Sequence, residues 1–268
     1  MSPSSQDQTR PNQTLQNQSS QDLSGTTAIV TGAGRGFGRS IAVALAAAGA
    51  HVVGVGRERS GLAEVGTELG DRFSTEVGDA ADPVLAGQLL DRYRPRTVVL
   101  NAGTSPLLRP LPQQTWASFS RNWEVDVQQV FHWSREALLA PLEPGSVVIA
   151  FSSGAALQGS PLSGGYAGAK ATIRFIAGYA AEESARAGSG IRFTAVLPRL
   201  TPATDLGAVA VAGYARRQGV DVPTFLAGFG ATSETAAIGA AIVELATDPT
   251  LDQPAYLLPP TGGVQPLR

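Results

Sequence analysis

The sequence has 268 residues, a net charge of −2, 43% hydrophobic residues and only 16% charged residues. These values are typical of one large domain with a full core, and they provide no basic surface for nucleic acid or anionic lipid. No cysteine is present, which excludes disulfides, thiolate catalysis and cysteine-bound metals. The two histidines, His51 and His132, lack the spacing of metal ligands, so we expect no metal site. No apolar run is long enough to cross a membrane, and we expect a cytoplasmic protein.

The first 22 residues differ in composition from the rest of the chain. They are rich in Gln, Ser and Asn and contain almost no apolar residues. Such a segment cannot bury a core, so residues 1–22 are predicted to be a disordered extension. Residues 23–268 are predicted to form a single domain.

A glycine-rich loop joins the first predicted strand to the first predicted helix. Residues 26–31 form a short apolar run typical of a buried parallel strand, and an alanine-rich helix follows at residues 41–50. Glycines allow close approach of the backbone to a ligand, and a helix N-terminus attracts anions. This order predicts a phosphate-binding turn, and its candidate residues are Gly32, Arg35, Gly36, Phe37 and Gly38.

The end of the second predicted strand, residues 51–57, bears on the choice of cofactor. An acidic residue there would bind the 2′-hydroxyl of NAD, whereas a cation suits the 2′-phosphate of NADP. Arg57 follows the apolar run directly, and Arg35 is a second candidate cation. We therefore expect NADP(H), while Glu58, one position later, leaves NAD(H) open. The alternative is that either arginine is only a solvated surface charge.

The remaining elements predict the fold. Further strands are expected at residues 72–77, 97–101, 146–151, 191–197 and 255–258, and helices at residues 83–93, 115–140, 165–186 and 234–246. Strands alternating with helices predict an α/β fold, a doubly wound, Rossmann-like parallel sheet with helices on both faces. Ligands of such sheets bind beyond the carboxyl ends of the strands. Residues 200–230 are expected to form a mobile helical flap over the substrate.

Tyr166 and Lys170 lie one turn apart on one face of the predicted helix 165–186. Lys170 is the only lysine in the sequence, which makes chance placement beside a tyrosine an unattractive explanation. A neighbouring ammonium stabilises a phenolate, so Tyr166 is predicted to donate or accept a proton. Ser153 follows the strand 146–151, where its hydroxyl could reach the same point. The alternative is a solvated pair on a helix surface.

These motifs resemble those of the short-chain dehydrogenase/reductase family, in its compact single-domain branch. The matches cover nearly everything after residue 24 and occur in the family's order: Thr31 to Gly38, Asp79, Asn101 to Gly103, Ser153, and Tyr166 with Lys170. The resemblance implies hydride transfer between a nicotinamide and a carbonyl or secondary alcohol. It also implies that Tyr166 exchanges the proton, Lys170 contacts the nicotinamide ribose and Ser153 holds the substrate oxygen.

The resemblance extends to the residues expected to hold the dinucleotide. It implies that Asp79 contacts the adenine and that Asn101 to Gly103 line the ribose side. The full set of candidate cofactor-binding residues is Gly32, Arg35, Gly36, Phe37, Gly38, Arg57, Asp79, Ala80, Asn101, Ala102, Gly103, Tyr166, Lys170, Pro198 and Thr201.

Two departures from the family pattern concern the site. Asp126 stands where the family usually has an asparagine that completes a proton relay. Its carboxylate would raise the pKa of Lys170 and weaken the effect on Tyr166, or act as an alternative relay, so Asp126 joins Ser153, Tyr166 and Lys170 as a candidate catalytic residue. Arg199 replaces the glycine after Pro198, and we expect it to point to solvent; contact with an acidic substrate is the alternative.

The sequence therefore predicts an NADP(H)-dependent oxidoreductase. Residues 155–163 and 199–212, together with Trp116, are expected to line a largely apolar substrate pocket, which favours a moderately apolar carbonyl or alcohol. The resemblance implies a homodimer or homotetramer formed through the helices 115–140 and 165–186. The alternative function is a dinucleotide-binding sensor or regulator with weakened catalysis.

Overall fold

A computed structural model of the protein describes residues 21–267, so most of the predicted extension lies outside the described residues. Within this range, eight strands form one sheet in the order β3-β2-β1-β4-β5-β6-β7-β8. All neighbouring strands are parallel except β7 and β8, which confirms the predicted parallel sheet and adds an antiparallel edge strand. The strands are β1 Thr27–Thr31, β2 His51–Gly56, β3 Phe73–Val77, β4 Thr97–Leu100, β5 Val147–Phe151, β6 Arg192–Pro198, β7 Ala255–Leu258 and β8 Gln265–Pro266.

Helices connect the strands. They are α1 Gly36–Ala47, α2 Arg59–Leu69, α3 Pro83–Tyr93, α4 Trp116–Ser120, α5 Gln128–Leu139, α6 Ala155–Gln158, α7 Gly164–Ala187, α8 Asp205–Gln218, α9 Val222–Phe229 and α10 Thr235–Thr247. The helix α3 illustrates the local signals, because Pro83 occupies its first turn and the Asp82 carboxylate accepts a hydrogen bond from the Val84 N–H at 2.8 Å.

The sheet is covered on both faces, as the doubly wound fold requires. Alternate residues of β1 enter different cores: Val30 packs with side chains of α1, α2 and α10, while Ile29 packs with side chains of α3, α5 and α7. Because both faces are buried, the central strands are continuous apolar runs.

The predicted helix 115–140 is wrong as a single element. The structure contains α4, then a π-helical turn at Trp123–Val127, and then α5. In this π-turn the Val127 N–H reaches back five residues to the Asn122 carbonyl at 3.3 Å. Such wide turns are frequent at functional sites. Here the π-turn carries Asp126, whose residue surface is only 1% exposed.

The predicted flap forms two capped helices, α8 and α9. The Thr204 hydroxyl accepts from the Gly207 N–H at 3.1 Å, and the Asp221 carboxylate accepts from the Thr224 N–H at 2.8 Å. These N-caps satisfy backbone donors that a helix leaves free, which explains why a Gly- and Ala-rich segment forms helices here. The helical character is confirmed, and the mobility of the flap stays a prediction.

Gly165 sets the closest backbone contact of α7, immediately before Tyr166. A Cβ added to Gly165 would overlap the carbonyl oxygen of Phe119 in α4. Only glycine permits this approach between the two segments. The position of the Tyr166 backbone is therefore fixed against α4.

We predict that Gly165→Ala lowers the free energy of unfolding by about 1–3 kcal/mol, because the added methyl group cannot fit against a backbone carbonyl. Gly178→Ala in the same helix is the matched control. A Cβ at Gly178 would meet no atom within 4 Å, so alanine should raise stability by about 1 kcal/mol through helix propensity alone. Urea unfolding of the three proteins measures both effects, and equal stability of the two variants would contradict the packing argument.

Candidate active site

A buried ion pair lies behind the carboxyl ends of the central strands. The Nζ atom of Lys170 in α7 is 3.1 Å from Oδ2 of Asp126, and their side chains are 7% and 1% exposed. Lys170 Nζ also donates to the carbonyl of Phe151, the last residue of β5, at 3.0 Å. Asp126 Oδ1 accepts from the Thr104 N–H at 2.9 Å. The pair thus joins α7, the π-turn, β5 and the segment after β4.

Electrostatics keep Lys170 positively charged. Burial by itself lowers the pKa of Lys170, but the negative charge of Asp126, the electrostatic effect of the neighbouring Tyr166 and the hydrogen bond with Asp126 outweigh burial and raise that pKa above its ordinary value. The Nζ atom lies 5.5 Å from the centroid of the Tyr166 ring. The predicted Tyr–Lys pair thus consists of a buried ammonium next to the ring of a half-buried tyrosine.

Ser153 and Tyr166 both line one cavity of about 430 Å³. Ser153 follows β5 and its Oγ accepts from the Ala155 N–H at 3.2 Å, at the start of α6. The adjacent Ser152 is directed away, since its buried hydroxyl donates to the Lys170 carbonyl at 2.7 Å. The structure therefore separates two neighbouring serines into one that faces the cavity and one that supports α7.

The cavity is mainly apolar, as predicted, but its walls differ in part from the expectation. Residues of the predicted ranges 155–163 and 199–212 contribute to it. The prediction for Trp116 is wrong, because Trp116 is 77% exposed and stacks on Phe119 outside the cavity. Tyr214, Phe225 and Phe229 were not predicted, because no motif marks them; their place depends on how α8 and α9 fold back.

A second cleft lies at the glycine-rich loop. Gly32 has a φ of 69°, and a Cβ there would lie 3.0 Å from the Ala102 Cα. A Cβ at Gly38 would overlap the Gly32 carbonyl. The helix α1 begins at Gly36 with no side-chain cap and no acidic residue in its first turn, so its first N–H groups are available to an anion. This glycine cradle fits the pyrophosphate of a dinucleotide.

The predicted cofactor residues fall into three groups: those that line the cleft, those that line the neighbouring cavity, and those that line neither. Those that line the cleft are Gly32, Arg35, Arg57, Asp79, Ala80, Ala102 and Gly103. Those that line the cavity with Ser153 are Phe37, Tyr166, Pro198 and Thr201. Among the described residues of these two linings, Gly36, Gly38, Asn101, Lys170 and the catalytic candidate Asp126 do not occur.

Asn101 and Thr201 have structural contacts in this arrangement. The Asn101 amide donates to the Thr31 carbonyl at 3.1 Å, which joins the ends of β1 and β4. The buried Thr201 hydroxyl donates to the Ser233 carbonyl at 2.8 Å. Gln129, which the sequence did not indicate, lines the cleft and donates to the Ala102 carbonyl at 2.8 Å.

The two candidate cations for a 2′-phosphate are in different situations. Arg35 Nη1 lies 3.2 Å from Asp205 Oδ2 at the start of α8, and both side chains are exposed. Arg57, at the end of β2, has no carboxylate within 4.0 Å among residues 21–267 and lines the cleft beside Glu58. Arg57 is therefore the better placed of the two for an added phosphate.

Residues 21–267 contain no group of three His, Asp or Glu side chains that could hold a metal ion. None of the helices in this range is long and apolar enough to span a membrane.

The sheet order, the glycine cradle and the Ser–Tyr–Lys arrangement define a Rossmann-type dinucleotide-binding fold with a dehydrogenase-like site. The model of the short chain dehydrogenase family matches residues 26–214, and the chain belongs to this family.

Curated relatives match part of the chain. L-xylulose reductase of Mesocricetus auratus is 35% identical over 129 residues, which are 47% of this chain and 52% of that protein. The 2,5-dichloro-2,5-cyclohexadiene-1,4-diol dehydrogenase of Sphingobium indicum is 30% identical over 184 residues, 66% of this chain and 73% of that protein. The chain thus spans about half the length of the L-xylulose reductases that it matches.

Solved structures share the fold. An NADH complex of 3-ketoacyl-(acyl-carrier-protein) reductase from Brucella melitensis has a TM-score of 0.71 at 23% identity, covering 86% of this chain and 94% of that chain. NAD⁺-bound xylitol dehydrogenase has a TM-score of 0.75 at 19% identity, covering 84% and 94%. At these identities the similarity concerns the fold alone.

We predict that Asp126→Asn lowers the free energy of unfolding by about 3 kcal/mol at neutral pH, because it leaves a buried ammonium without its counter-ion. In the wild type the raised pKa of Lys170 contributes stability below the ordinary lysine value of 10.5, and this contribution is lost as the pH rises through the raised value. In the variant, the carboxylate no longer offsets burial, and burial lowers the pKa of Lys170. The cost of burying the charged lysine therefore shrinks as the pH rises towards 10.5.

The measurable consequence is a stability difference that is largest at neutral pH and shrinks under alkaline conditions. Urea unfolding of both proteins from neutral pH to about pH 11 follows this difference, and groups that both proteins share cancel. A difference that does not vary with pH would show that the contact with Asp126 stabilises the fold by packing rather than by charge.

Proposed function

We propose that this protein is an NADP(H)-dependent oxidoreductase that transfers hydride between the nicotinamide and a carbonyl or secondary alcohol. The observation that supports this most directly is the ammonium of Lys170, buried beside the ring of Tyr166, whose residue lines an apolar cavity together with Ser153. A phenol, an ammonium and a hydroxyl in this arrangement suit proton exchange at a substrate oxygen.

The proposed mechanism assigns one task to each residue. The bound nicotinamide supplies or accepts the hydride. In the reducing direction, the Ser153 hydroxyl donates a hydrogen bond to the carbonyl oxygen, and the Tyr166 hydroxyl gives this oxygen its proton. Lys170 stabilises the phenolate that remains, and Asp126 holds Lys170 in place. The apolar walls of the cavity keep water from the reacting carbon.

We predict that Tyr166→Phe lowers kcat for any carbonyl substrate by at least about 100-fold, because it removes the proton donor and leaves the shape of the cavity. The measurement is NADPH oxidation in a screen of ketones and aldehydes, with fluorescence titration to verify that the variant still binds NADPH. Equal turnover by the two proteins would refute the role of Tyr166.

The preference for NADP(H) rests on Arg57, which lines the cleft and has no carboxylate within 4.0 Å in the described chain. Two structures of similar fold are described with NADH or NAD⁺, and Glu58 lies at the same cleft, so the choice needs a direct test.

We predict that the wild type binds NADPH more tightly than NADH and that Arg57→Ala weakens NADPH binding about 10- to 100-fold, the size expected for hydrogen bonds to a charged group. NADH binding should change little. The matched control is Arg59→Ala, since Arg59 is also exposed but does not line the cleft. Cofactor fluorescence titration measures all affinities, and tighter binding of NADH by the wild type would overturn the preference.

A dinucleotide-binding sensor is the second candidate. The observation that favours it is the Asp126 carboxylate, 3.1 Å from Lys170, which opposes the effect of the ammonium on Tyr166. A sensor would bind NADPH but turn over no carbonyl in the screen, whereas an oxidoreductase would do both.

The cavity also indicates which kind of substrate the enzyme would accept. One relative is named for a sugar and another for a chlorinated ring diol; the apolar walls here favour a substrate closer to the ring compound.

The exposed side chains Phe131 on α5, and Phe175 and Tyr179 on α7, support a homodimer or homotetramer formed through these helices. We place this enzyme in the cytoplasm.

A further inference from the structure

Arg199 occupies an unusual place in the substrate cavity. Of the described residues that line the cavity, it is the only one with a charged side chain. The remaining lining is dominated by apolar side chains such as Leu206, Phe225 and Phe229. The expectation that Arg199 only points to solvent is therefore incomplete, because this residue is exposed and also forms part of the cavity wall.

The guanidinium group is held in place by Phe229 of α9. The Cζ atom of Arg199 lies 5.0 Å from the centroid of the Phe229 ring, and Nη2 donates to the Phe229 carbonyl at 3.2 Å. An arginine has five N–H donors, so this contact orients the planar group and leaves donors unused. Among residues 21–267 no carboxylate lies within 4.0 Å of it.

Phe229 is itself part of a row of stacked rings. Tyr214 and Phe225 have ring centroids 6.3 Å apart, Phe225 and Phe229 have centroids 5.9 Å apart, and both pairs are inclined by 17°. The Tyr214 hydroxyl forms a hydrogen bond with Ser160 Oγ in the segment before α7. The row therefore extends from the wall near Ser160 to Arg199, and it orders the guanidinium before any substrate binds.

We infer that Arg199 binds a carboxylate of the substrate, so that the substrate is a largely apolar ketone, or the matching alcohol, that carries a carboxylate. This inference rests on the proposed function. The apolar body packs against the ring row, the carbonyl oxygen lies at Ser153 and Tyr166, and the carboxylate accepts from the unused donors of Arg199. A guanidinium and a carboxylate can form two parallel charge-assisted hydrogen bonds, which are stronger and more directional than neutral ones.

The probes are 3-benzoylpropionate and its methyl ester, which differ in charge and share the aryl ketone. We expect wild-type kcat/KM with NADPH to favour the acid over the ester by at least about tenfold, mainly through KM. In Arg199→Gln this ratio should fall towards one, whatever loss the two substrates share. Arg199→Lys keeps a point charge and should retain part of the ratio.

A structural role for Arg199 makes a different prediction. If Arg199 only fastens α9, Arg199→Gln lowers kcat/KM for acid and ester equally and the ratio stays at its wild-type value. Phe229→Leu is the matched control, because it removes the ring under the guanidinium but not the charge, and it should keep a preference for the acid. A wild-type ratio near one, or an unchanged ratio in Arg199→Gln, overturns the inference.

Direct binding separates this inference from the proposed function. Calorimetry measures the affinity of the acid and the ester for the enzyme with NADP⁺, where we expect at least about tenfold tighter binding of the acid, lost in Arg199→Gln. Such binding without turnover of any carbonyl would remove the oxidoreductase proposal and leave the carboxylate site. Turnover without a preference for the acid would do the reverse. Loss of NADPH affinity in Arg199→Gln with an unchanged acid-to-ester ratio would assign Arg199 to a cofactor phosphate and overturn the inference.

Discussion

The burial of a single ammonium group constrains much of the architecture around the site. An uncompensated lysine inside a protein is costly, so Lys170 requires an acceptor and a counter-charge at fixed positions. The Phe151 carbonyl at the end of β5 supplies the first and Asp126 supplies the second. The carboxylate fits only because Gly103 leaves room for it, since a Cβ there would lie 2.9 Å from Asp126 Oδ2. The ends of β4 and β5, the π-turn and α7 are thus positioned by one shared electrostatic requirement.

In the proposed mechanism, the same pair bears on how Lys170 acts on Tyr166. A neutral amide in place of Asp126 would accept a hydrogen bond from Lys170 without cancelling charge, whereas the carboxylate anchors the ammonium firmly and competes with Tyr166 for its field. The buried pair therefore fixes the position of the Lys170 ammonium that the proposed mechanism uses.

The parts of the molecule that could be predicted are those encoded by neighbouring residues. Tyr166 and Lys170 are one helical turn apart, and the apolar run of β1 leads directly into Gly32. Periodicity and spacing were therefore sufficient to predict the Tyr–Lys pair and the glycine-rich turn. The π-turn was missed because a local change in backbone hydrogen bonding, such as the bond from the Val127 N–H to the Asn122 carbonyl, leaves no mark on the apolar pattern. The ring row was missed because Tyr214 and Phe229 meet only through tertiary packing. The partner of Arg35 was likewise out of reach, because Asp205 lies 170 residues further along the chain.

The contact between Gly165 and the Phe119 carbonyl has a consequence for which substitutions this chain can accept. Tyr166 takes its position from one main chain resting on another, and a main chain has the same dimensions whatever side chains it carries. Residues of α4 that face outwards, such as Trp116, can then be exchanged without displacing the phenol. The position of the Tyr166 hydroxyl therefore depends on main-chain atoms that substitution leaves unchanged, whereas side chains of α8 and α9 that line the cavity can change its shape without moving Tyr166.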